Sequence, residues 1–355
     1  MHKFNLYEEH KHYFTPEIIA LVTKIYQYKG RQDLFIETRE NEIECFKSSA
    51  RKMSTVSSNR ISGITTADSR IDDLIDGQRD PKNINEEEIT GYHKVLSSIL
   101  QNYDYIPCKP YYILQLHRDL YCLCRTKNGG QYKSFDRRPK GSFRFVKSSD
   151  TERAMDDLFD SYDSAFERKG TEPLILIPMM LLDFLCIHPF SDATCRISRL
   201  LAVLNCCKHG FFPVKYTSLE LVMEKHKEDF NEAFIDSVEG WHENDSNYEP
   251  FINWFLSVLT EAYETFEDRV EHLRHNEKTK PQMIEDHIRS SGGKITKKEI
   301  LGCFPDISEI TVERTLHDLC EKGKIKKQGA SRATFYIKCS QILKPPVQVR
   351  EIFTG

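Results

Sequence analysis

The sequence has no apolar run long enough to cross a membrane. A membrane-spanning helix needs about 20 consecutive apolar residues, whereas the longest candidate, Leu174 to Ile187, is shorter and contains Pro178 and Asp183. The first residues, Met1 to Asn5, also lack the apolar core of a secretory signal peptide. We therefore expect a cytoplasmic protein that makes no membrane contact.

Two further absences narrow the function classes. The 11 cysteines include no C-x-x-C pair, which argues against the common zinc sites, and we expect reduced thiols. The 50 Lys and Arg residues balance 54 Asp and Glu residues, for a net charge of -4. The chain as a whole is therefore not a basic nucleic-acid binder, and any basic surface must be local.

What the sequence does contain is helical periodicity over most of its 355 residues, a length that favours two or three folding units. We predict a mainly α fold in which the apolar segment Pro173–Ile187 is the buried central helix. Further helices are predicted at Glu86–Tyr103, Tyr111–Cys124, Asp150–Arg168, Arg196–His209, Ser218–Glu239 and Glu249–Leu273. The predicted domains are an N-terminal helical region at 1–95, a core at 96–275, a linker at 276–281, a small domain at 282–340 and a tail at 341–355.

Charged side chains gather just after the predicted central helix. The next helix begins near Arg196, and its unpaired N–H groups would attract phosphate, with Arg199 adding a second cation on the same face. Asp192 is suited to bind Mg²⁺ beside phosphate oxygens, and His188 is suited to act as a general base. The residues alone indicate either phosphoryl or nucleotidyl transfer, or a helix-capping histidine beside a structural ion pair.

This segment, H-P-F-S-D-A-T-C-R-I-S-R from His188 to Arg199, closely resembles the motif H-P-F-x-D/E-G-N-G-R-x-x-R of the Fic family. The resemblance implies a Fic-type helical bundle that moves AMP from ATP to a Ser, Thr or Tyr hydroxyl of a protein, this chain itself being one candidate target. It implies that His188 is the base, that Asp192 holds Mg²⁺, and that Arg196 and Arg199 hold the outer phosphates.

The family's G-N-G is replaced by Ala193, Thr194 and Cys195. Glycine lets backbone N–H groups approach phosphates closely and adopts positive φ without strain, and the family's asparagine is part of the anion pocket. The replacement leaves three outcomes: a weakened AMP transferase, a transferase with another donor, or a nucleotide binder without catalysis. A nucleophilic role for Cys195 is a weaker fourth idea, since no second base is evident.

The resemblance extends to three other elements. Ser58, Ser62 and Gly63 match the family's inhibitory segment S/T-x-x-x-E-G/N, except that Ser62 replaces the glutamate. We expect Arg199 to stay free for a phosphate; the alternative is that Ser58 merely caps a helix.

Turn residues between Gly130 and Val146 predict a β-hairpin, similar to the family's target-binding flap, with Tyr132, Lys133 and Phe143 on it. Phe230 and Asn231 are candidates for the adenine pocket, although Phe230 also suits a core position.

Residues 282–340 are predicted to form a winged helix-turn-helix. Helices near Ile284, at Thr296–Leu301 and at Glu309–Glu321 precede two strand-like segments, Lys324–Lys327 and Ala333–Lys338. Basic residues on the wing suit phosphate contacts: Lys324, Lys326, Lys327 and Arg332. The third helix is acidic, so DNA binding, protein docking and formation of a homo-oligomer stay open for this domain.

Two functions from different classes remain after this reading. The first is a protein adenylyltransferase that uses ATP and Mg²⁺ and lacks the usual inhibitory glutamate. The second is a non-catalytic or donor-altered protein that binds nucleotide or DNA as a regulator.

Overall fold

The computed structural model describes residues 2–124, 127, 129–138, 143–275, 279–290, 295–304, 307–329 and 334–338. The chain divides into two compact units, Met1–Glu271 and His272–Gly355. Predictions for the hairpin tip at 139–142, the linker residues 276–278, Arg332 and the tail at 341–355 lie outside the described residues. None of the helices in those described stretches combines the length and apolarity that a bilayer crossing needs.

The chain up to residue 275 is helical almost throughout. Its helices are α1 Leu6–Glu9, α2 Pro16–Ile61, α3 Asp68–Ile75, α4 Ile84–Asn102, α5 Pro110–Leu120, α6 Thr151–Phe166, α7 Pro173–Ile187, α8 Thr194–Lys208, α9 Pro213–Tyr216, α10 Leu219–Lys225, α11 Lys227–Val238 and α12 Glu249–His275. This arrangement confirms the mainly α class.

Helix α7 is the buried centre of the first unit, with the ends that the sequence predicts. Every residue from Leu174 to Ile187 is buried, and α6 and α8 pack against it. Its one charged residue, Asp183, accepts hydrogen bonds from the Trp241 indole and the Tyr248 hydroxyl, each at 2.7 Å. Burial raises the pKa of Asp183 to about 7. The carboxyl group is tolerated here because both partners donate to it.

Helix α2 brings the N-terminal region onto the core. It runs for 46 residues with one non-helical residue, Arg39, at φ -137° and ψ 27°, and it packs against α4, α9 and α10. Residues 1–95 therefore share one compact unit with the core. The last turn of α2, which contains Ser58, lies beside α8.

Two segments differ from the sequence prediction. The helix predicted over Ser218–Glu239 is two helices, α10 and α11, because the chain breaks at His226, whose ring nitrogens each lie 2.7 Å from a carboxylate, of Asp229 and of Glu261. The described residues of the predicted hairpin, 129–138 and 143–147, contain no paired strands, and Phe143 alone is at a bridge position. The N–H groups of Lys133 and Val146 instead donate to the carbonyls of Pro189 and Cys186.

From residue 279 onward, the described residues of the second unit form three helices and a two-stranded antiparallel sheet. The elements are α13 Lys280–Ser290, α14 Lys297–Cys303, α15 Glu309–Glu321, β1 Ile325–Gln328 and β2 Phe335–Lys338. Lys280 and Pro281, predicted as linker, already belong to α13. Helices and strands thus occur where the sequence predicts them, and their assignment as a winged helix stays a prediction.

Gly91 tests the packing of α4 on α5. A Cβ at this position would lie 2.1 Å from the carbonyl oxygen of Leu120, so Gly91→Ala must push the two helices apart. We expect the free energy of unfolding to fall by about 3 kcal/mol. Gly30→Ala in α2 is the matched control, since no atom lies within 4 Å of its added Cβ, and a gain of up to about 1 kcal/mol is expected. Urea denaturation measures both variants, and equal effects would contradict this packing.

Candidate active site

The loop between α7 and α8 carries His188 in a left-handed conformation, with φ 48° and ψ 64°. Its Nδ1 lies 3.2 Å from the carbonyl oxygen of Phe190, so Nδ1 carries the proton and Nε2 is the basic nitrogen. Burial, aided by the positive charges of Arg137 and Lys133, lowers the pKa of His188 to about 4. The imidazole is therefore neutral at pH 7 and able to accept a proton.

Helix α8 begins at Thr194, two residues earlier than predicted. Its N-cap, Ala193, has φ 62° and ψ 6°, whereas Thr194 and Cys195 do not have positive φ. The need for glycine therefore applies at position 193, where alanine costs roughly 1 kcal/mol. Thr194 and Cys195 have ordinary helical backbone that accepts a side chain.

The hydroxyl of Thr194 is part of the loop's internal hydrogen bonding. It is buried and lies 3.3 Å from both the Phe190 nitrogen and His188 Nδ1. Thr194 thus helps to orient the histidine, a role that the sequence does not reveal. The side chain of Cys195, in contrast, is exposed.

Asp192 is oriented by the start of α8. One carboxylate oxygen accepts the N–H of Ala193 at 2.7 Å, and the other pairs with the ammonium group of Lys127. Partial burial by itself raises the pKa of Asp192, but the hydrogen bond and charge of Lys127 outweigh it and lower the pKa to about 2. Lys127 also pairs with Glu88 at 2.7 Å. Asp192 is therefore ionised, and its carboxylate forms an ion pair with the ammonium group of Lys127.

The two arginines of α8 have different environments. Arg196 is 1% exposed, forms an ion pair with Glu88 and donates to the Tyr121 hydroxyl at 2.9 Å. Arg199 is 8% exposed and donates at 2.8 Å to the hydroxyl groups of Ser58 and Ser62, and to the Ser58 carbonyl. Among the described ion pairs, none includes Arg199. Its positive charge is therefore neutralised less than that of Arg196.

The segment that matches the family's inhibitory pattern without its glutamate lies against Arg199. Arg199 donates to the hydroxyl groups of Ser58 and Ser62, but no described ion pair includes it. Its availability to a phosphate stays a prediction. The alternative reading of Ser58 as a helix cap is wrong, because α2 continues to Ile61 and Ser62 is its C-cap. Gly63 follows with φ 76°, a conformation that glycine adopts without strain.

One cavity of about 370 Å³ joins most of these groups. The polar and charged residues that line it are Ser62, Arg137, His188, Asp192, Thr194, Cys195, Arg196, Ser198, Arg199, Lys227 and Asn231. Its apolar lining includes Ala193, Met223, Phe230, Phe251 and Trp254. Phe230 also packs on Trp254, with ring centroids 5.0 Å apart, so it belongs to the cavity wall and to the core together. A cavity that offers both cationic and apolar side chains suits an organic molecule that carries phosphate.

Comparison with known proteins agrees with this geometry. Residues 107–206 match the sequence profile of the Fic/DOC family. The fold is similar to that of a Fic family protein from Desulfovibrio desulfuricans G20, with a TM-score of 0.58, 18% identity, and coverage of 92% of this chain and 97% of that chain. Residues 107–206 of this chain therefore contain a Fic domain.

Other solved structures share the fold. A Fic domain containing signaling protein from Bacteroides thetaiotaomicron VPI-5482 has a TM-score of 0.56 at 19% identity, covering 70% of this chain and 94% of that chain. A fragment of Fic-1 from C. elegans has a TM-score of 0.54 at 12% identity, covering 72% and 73%. No curated protein matches the chain.

The residues predicted for the flap of the Fic domain face inward. Phe143 is 7% exposed and packs on Trp241, while Tyr132 stacks on the buried ring of Phe190. Lys133 is 3% exposed, and its ammonium group donates to backbone carbonyls beside His188. Tyr132 and Lys133 therefore support the His188 loop, whereas Phe143 packs against the aromatic core.

Sequence reasoning missed several groups around the Fic motif. Glu88, Tyr121 and Lys127 contact motif residues, and Arg137 donates to the Ser191 carbonyl at 2.9 Å. None of these residues belongs to a recognisable sequence motif. Their contacts join distant parts of the chain: Glu88 and Arg196, for example, are 108 positions apart. Only a helical pattern that placed Glu88 on the inner face of α4 could have drawn attention to it.

Ala193→Gly tests the strain at the N-cap of α8. Glycine relieves a positive φ, so we expect the free energy of unfolding to rise by about 1 kcal/mol. Ala202→Gly, in the buried interior of the same helix, is the control and is expected to lower it by about 1 kcal/mol. Urea denaturation compares the two, and a loss of stability in both variants would contradict the left-handed conformation at position 193.

Proposed function

We propose that this Fic-domain protein transfers AMP from ATP to a hydroxyl group of a protein side chain. The observation that supports the proposal is that a neutral histidine, a helix N-terminus and the buried cation Arg199 line one cavity. Fic-domain proteins are commonly transferases. In the proposed reaction, the base and the phosphate-binding groups act on opposite sides of the same phosphorus atom.

The chemistry assigns a role to each group. The acceptor oxygen would attack the α-phosphorus of ATP while its proton passes to Nε2 of His188. The bond from that phosphorus to the bridging oxygen breaks, and pyrophosphate leaves. Arg199 and the first N–H groups of α8 would stabilise the negative charge that develops on the departing phosphates. The apolar wall at Phe230 and Trp254, with Asn231 nearby, would hold the adenine.

Asp192 would hold the Mg²⁺ ion of this reaction. The carboxylate fits the role, since Mg²⁺ takes one or two carboxylates together with phosphate oxygens and water, and since one of its oxygens is already directed by the Ala193 N–H. The other oxygen pairs with the ammonium group of Lys127. When the ion binds, this ammonium group would leave Asp192 and stay paired with Glu88, the second partner of Lys127. The bound ion would neutralise phosphate charge, and Asp192 would orient it.

A second candidate is a nucleotide-binding regulator without catalysis. It is favoured by Arg196, whose charge is neutralised by Glu88 and which is 1% exposed, so that one of the two expected phosphate ligands is occupied. The exposed thiol of Cys195 in the cavity also differs from the family's glycine. Nucleotide binding without transfer would distinguish this candidate.

DNA binding and self-association through residues 282–340 remain predictions. Among the described residues, Lys324 pairs with Glu285, and Lys297 pairs with Glu309 and Glu313. These pairs reduce the basic character of the described residues of this domain, which favours a protein partner over DNA.

The transfer reaction can be tested directly. The purified protein is incubated with Mg²⁺ and ATP labelled at the α-phosphate, alone and with a cell extract, and the wild type is compared with His188→Ala. We expect covalent label that falls at least about 100-fold in the variant, because the base is lost. ATP labelled at the γ-phosphate is the control for another donor chemistry. Nucleotide binding without α-label in either setting would favour the regulator.

Ser62→Glu tests whether Arg199 binds phosphate. A carboxylate at this position would pair with Arg199, whose guanidinium lies 2.8 Å from the Ser62 hydroxyl, and would repel the nucleotide. We expect the Kd for ATP to rise at least about 10-fold, equivalent to about 1.4 kcal/mol. Ser62→Gln has the same length without the charge and serves as the control. If calorimetry gives the two variants equal affinities, Arg199 is not a phosphate ligand.

A further inference from the structure

Lys133 is a buried lysine that contacts three consecutive backbone carbonyls. Its ammonium group donates to the carbonyls of Ile187 at 2.7 Å and His188 at 2.9 Å, and its own N–H donates to the carbonyl of Pro189 at 2.8 Å. Its exposed fraction is 3%, and no described ion pair includes it. A lysine is rarely buried without a carboxylate, so its position needs a reason.

The end of α7 supplies that reason. The last carbonyls of a helix have no partner within the helix. Because the residues at the end of α7 are buried, donors for these carbonyls must come mainly from the protein. A cation at a helix C-terminus also interacts favourably with the helix dipole. Lys133 therefore satisfies carbonyl groups that would otherwise be buried without donors.

The same contacts hold the conformation of His188. A left-handed backbone costs free energy for any residue other than glycine, and it persists only where the surroundings impose it. The carbonyls that Lys133 binds lie before, at and after His188. With the backbone held at these three points, the ring nitrogen Nδ1 meets the Phe190 carbonyl, which directs Nε2.

We propose that Lys133 is a positioning residue that holds the His188 loop so that Nε2 faces the reacting hydroxyl group. The role of Lys133 in AMP transfer rests on the proposed function. Its effect on the orientation and pKa of His188 does not depend on that function. Burial lowers the pKa of Lys133 to about 8, so the ammonium form is present at pH 7. Lys133 and Arg137 are the charged groups that, together with burial, keep His188 neutral.

The test compares Lys133→Met, which removes the donors, with Lys133→Arg, which keeps donors and charge. The imidazole ¹⁵N signals of His188 are followed as a function of pH and assigned with His188→Ala. In Lys133→Met we expect the signals to shift and the pKa of His188 to rise, because a positive charge and the loop's anchor are lost. In Lys133→Arg we expect signals close to those of the wild type.

Activity gives a second readout. Lys133→Met should lower kcat for AMP transfer by about 100-fold, because a misplaced base slows the reaction by this order, and should change the Kd for ATP by less than about twofold. Lys133→Arg should recover most of kcat. If the wild type transfers no AMP, the proposed function fails, and the NMR comparison still decides the role of Lys133.

One result overturns the proposal: a folded Lys133→Met protein whose His188 signals and pKa equal those of the wild type. If Lys133→Met does not fold, Lys133→Gln replaces it, because glutamine keeps a donor but lacks the charge and the reach. The proposal then predicts altered His188 signals in Lys133→Gln and recovery in Lys133→Arg. Unaltered signals in Lys133→Gln would overturn it.

Discussion

The complete burial of α7 is the constraint on which the site depends. The residues at the end of this helix are buried, so their carbonyls need donors from the protein, and Lys133 supplies them to Ile187 and His188. The chain then turns through a left-handed His188 and, five residues later, a left-handed Ala193. These two turns direct the N-terminus of α8 and the histidine toward the same cavity. A buried helix thus determines the geometry of an accessible loop.

Charges around this loop alternate in sign. Asp192 pairs with Lys127, Lys127 with Glu88, and Glu88 with Arg196. Each of these charges either has a partner on both sides or lines the cavity, so a new cation or anion at one end must alter the next pair. Arg199 stands apart from this series, since serine hydroxyls and a carbonyl bind it without neutralising it. It is the cation best prepared to meet phosphate.

Particular residues show how far the sequence could predict this arrangement. The ends of α7 follow from an apolar run bounded by Pro173 and by Pro189, because proline starts helices and disfavours the α conformation before it. The break at His226 was missed, because it depends on Glu261, a residue of another helix. The predicted hairpin is absent from the described residues, since backbone groups of the segment bond to Cys186 in α7 and to Pro189 in the loop after it instead of to each other.

The sequence by itself determined the helical class, the central helix and the order of His188, Asp192, Arg196 and Arg199, because these depend on periodicity and on neighbours within a few residues. Tertiary structure alone decided which charged side chains are paired with each other and which remain available to bind a ligand. Glu88 meets Arg196 across 108 residues, Lys127 meets Asp192 across 65, and Lys133 meets the Ile187 carbonyl across 54. Such contacts arise from the packing of helices that are distant in the chain, and no local pattern of residues encodes them.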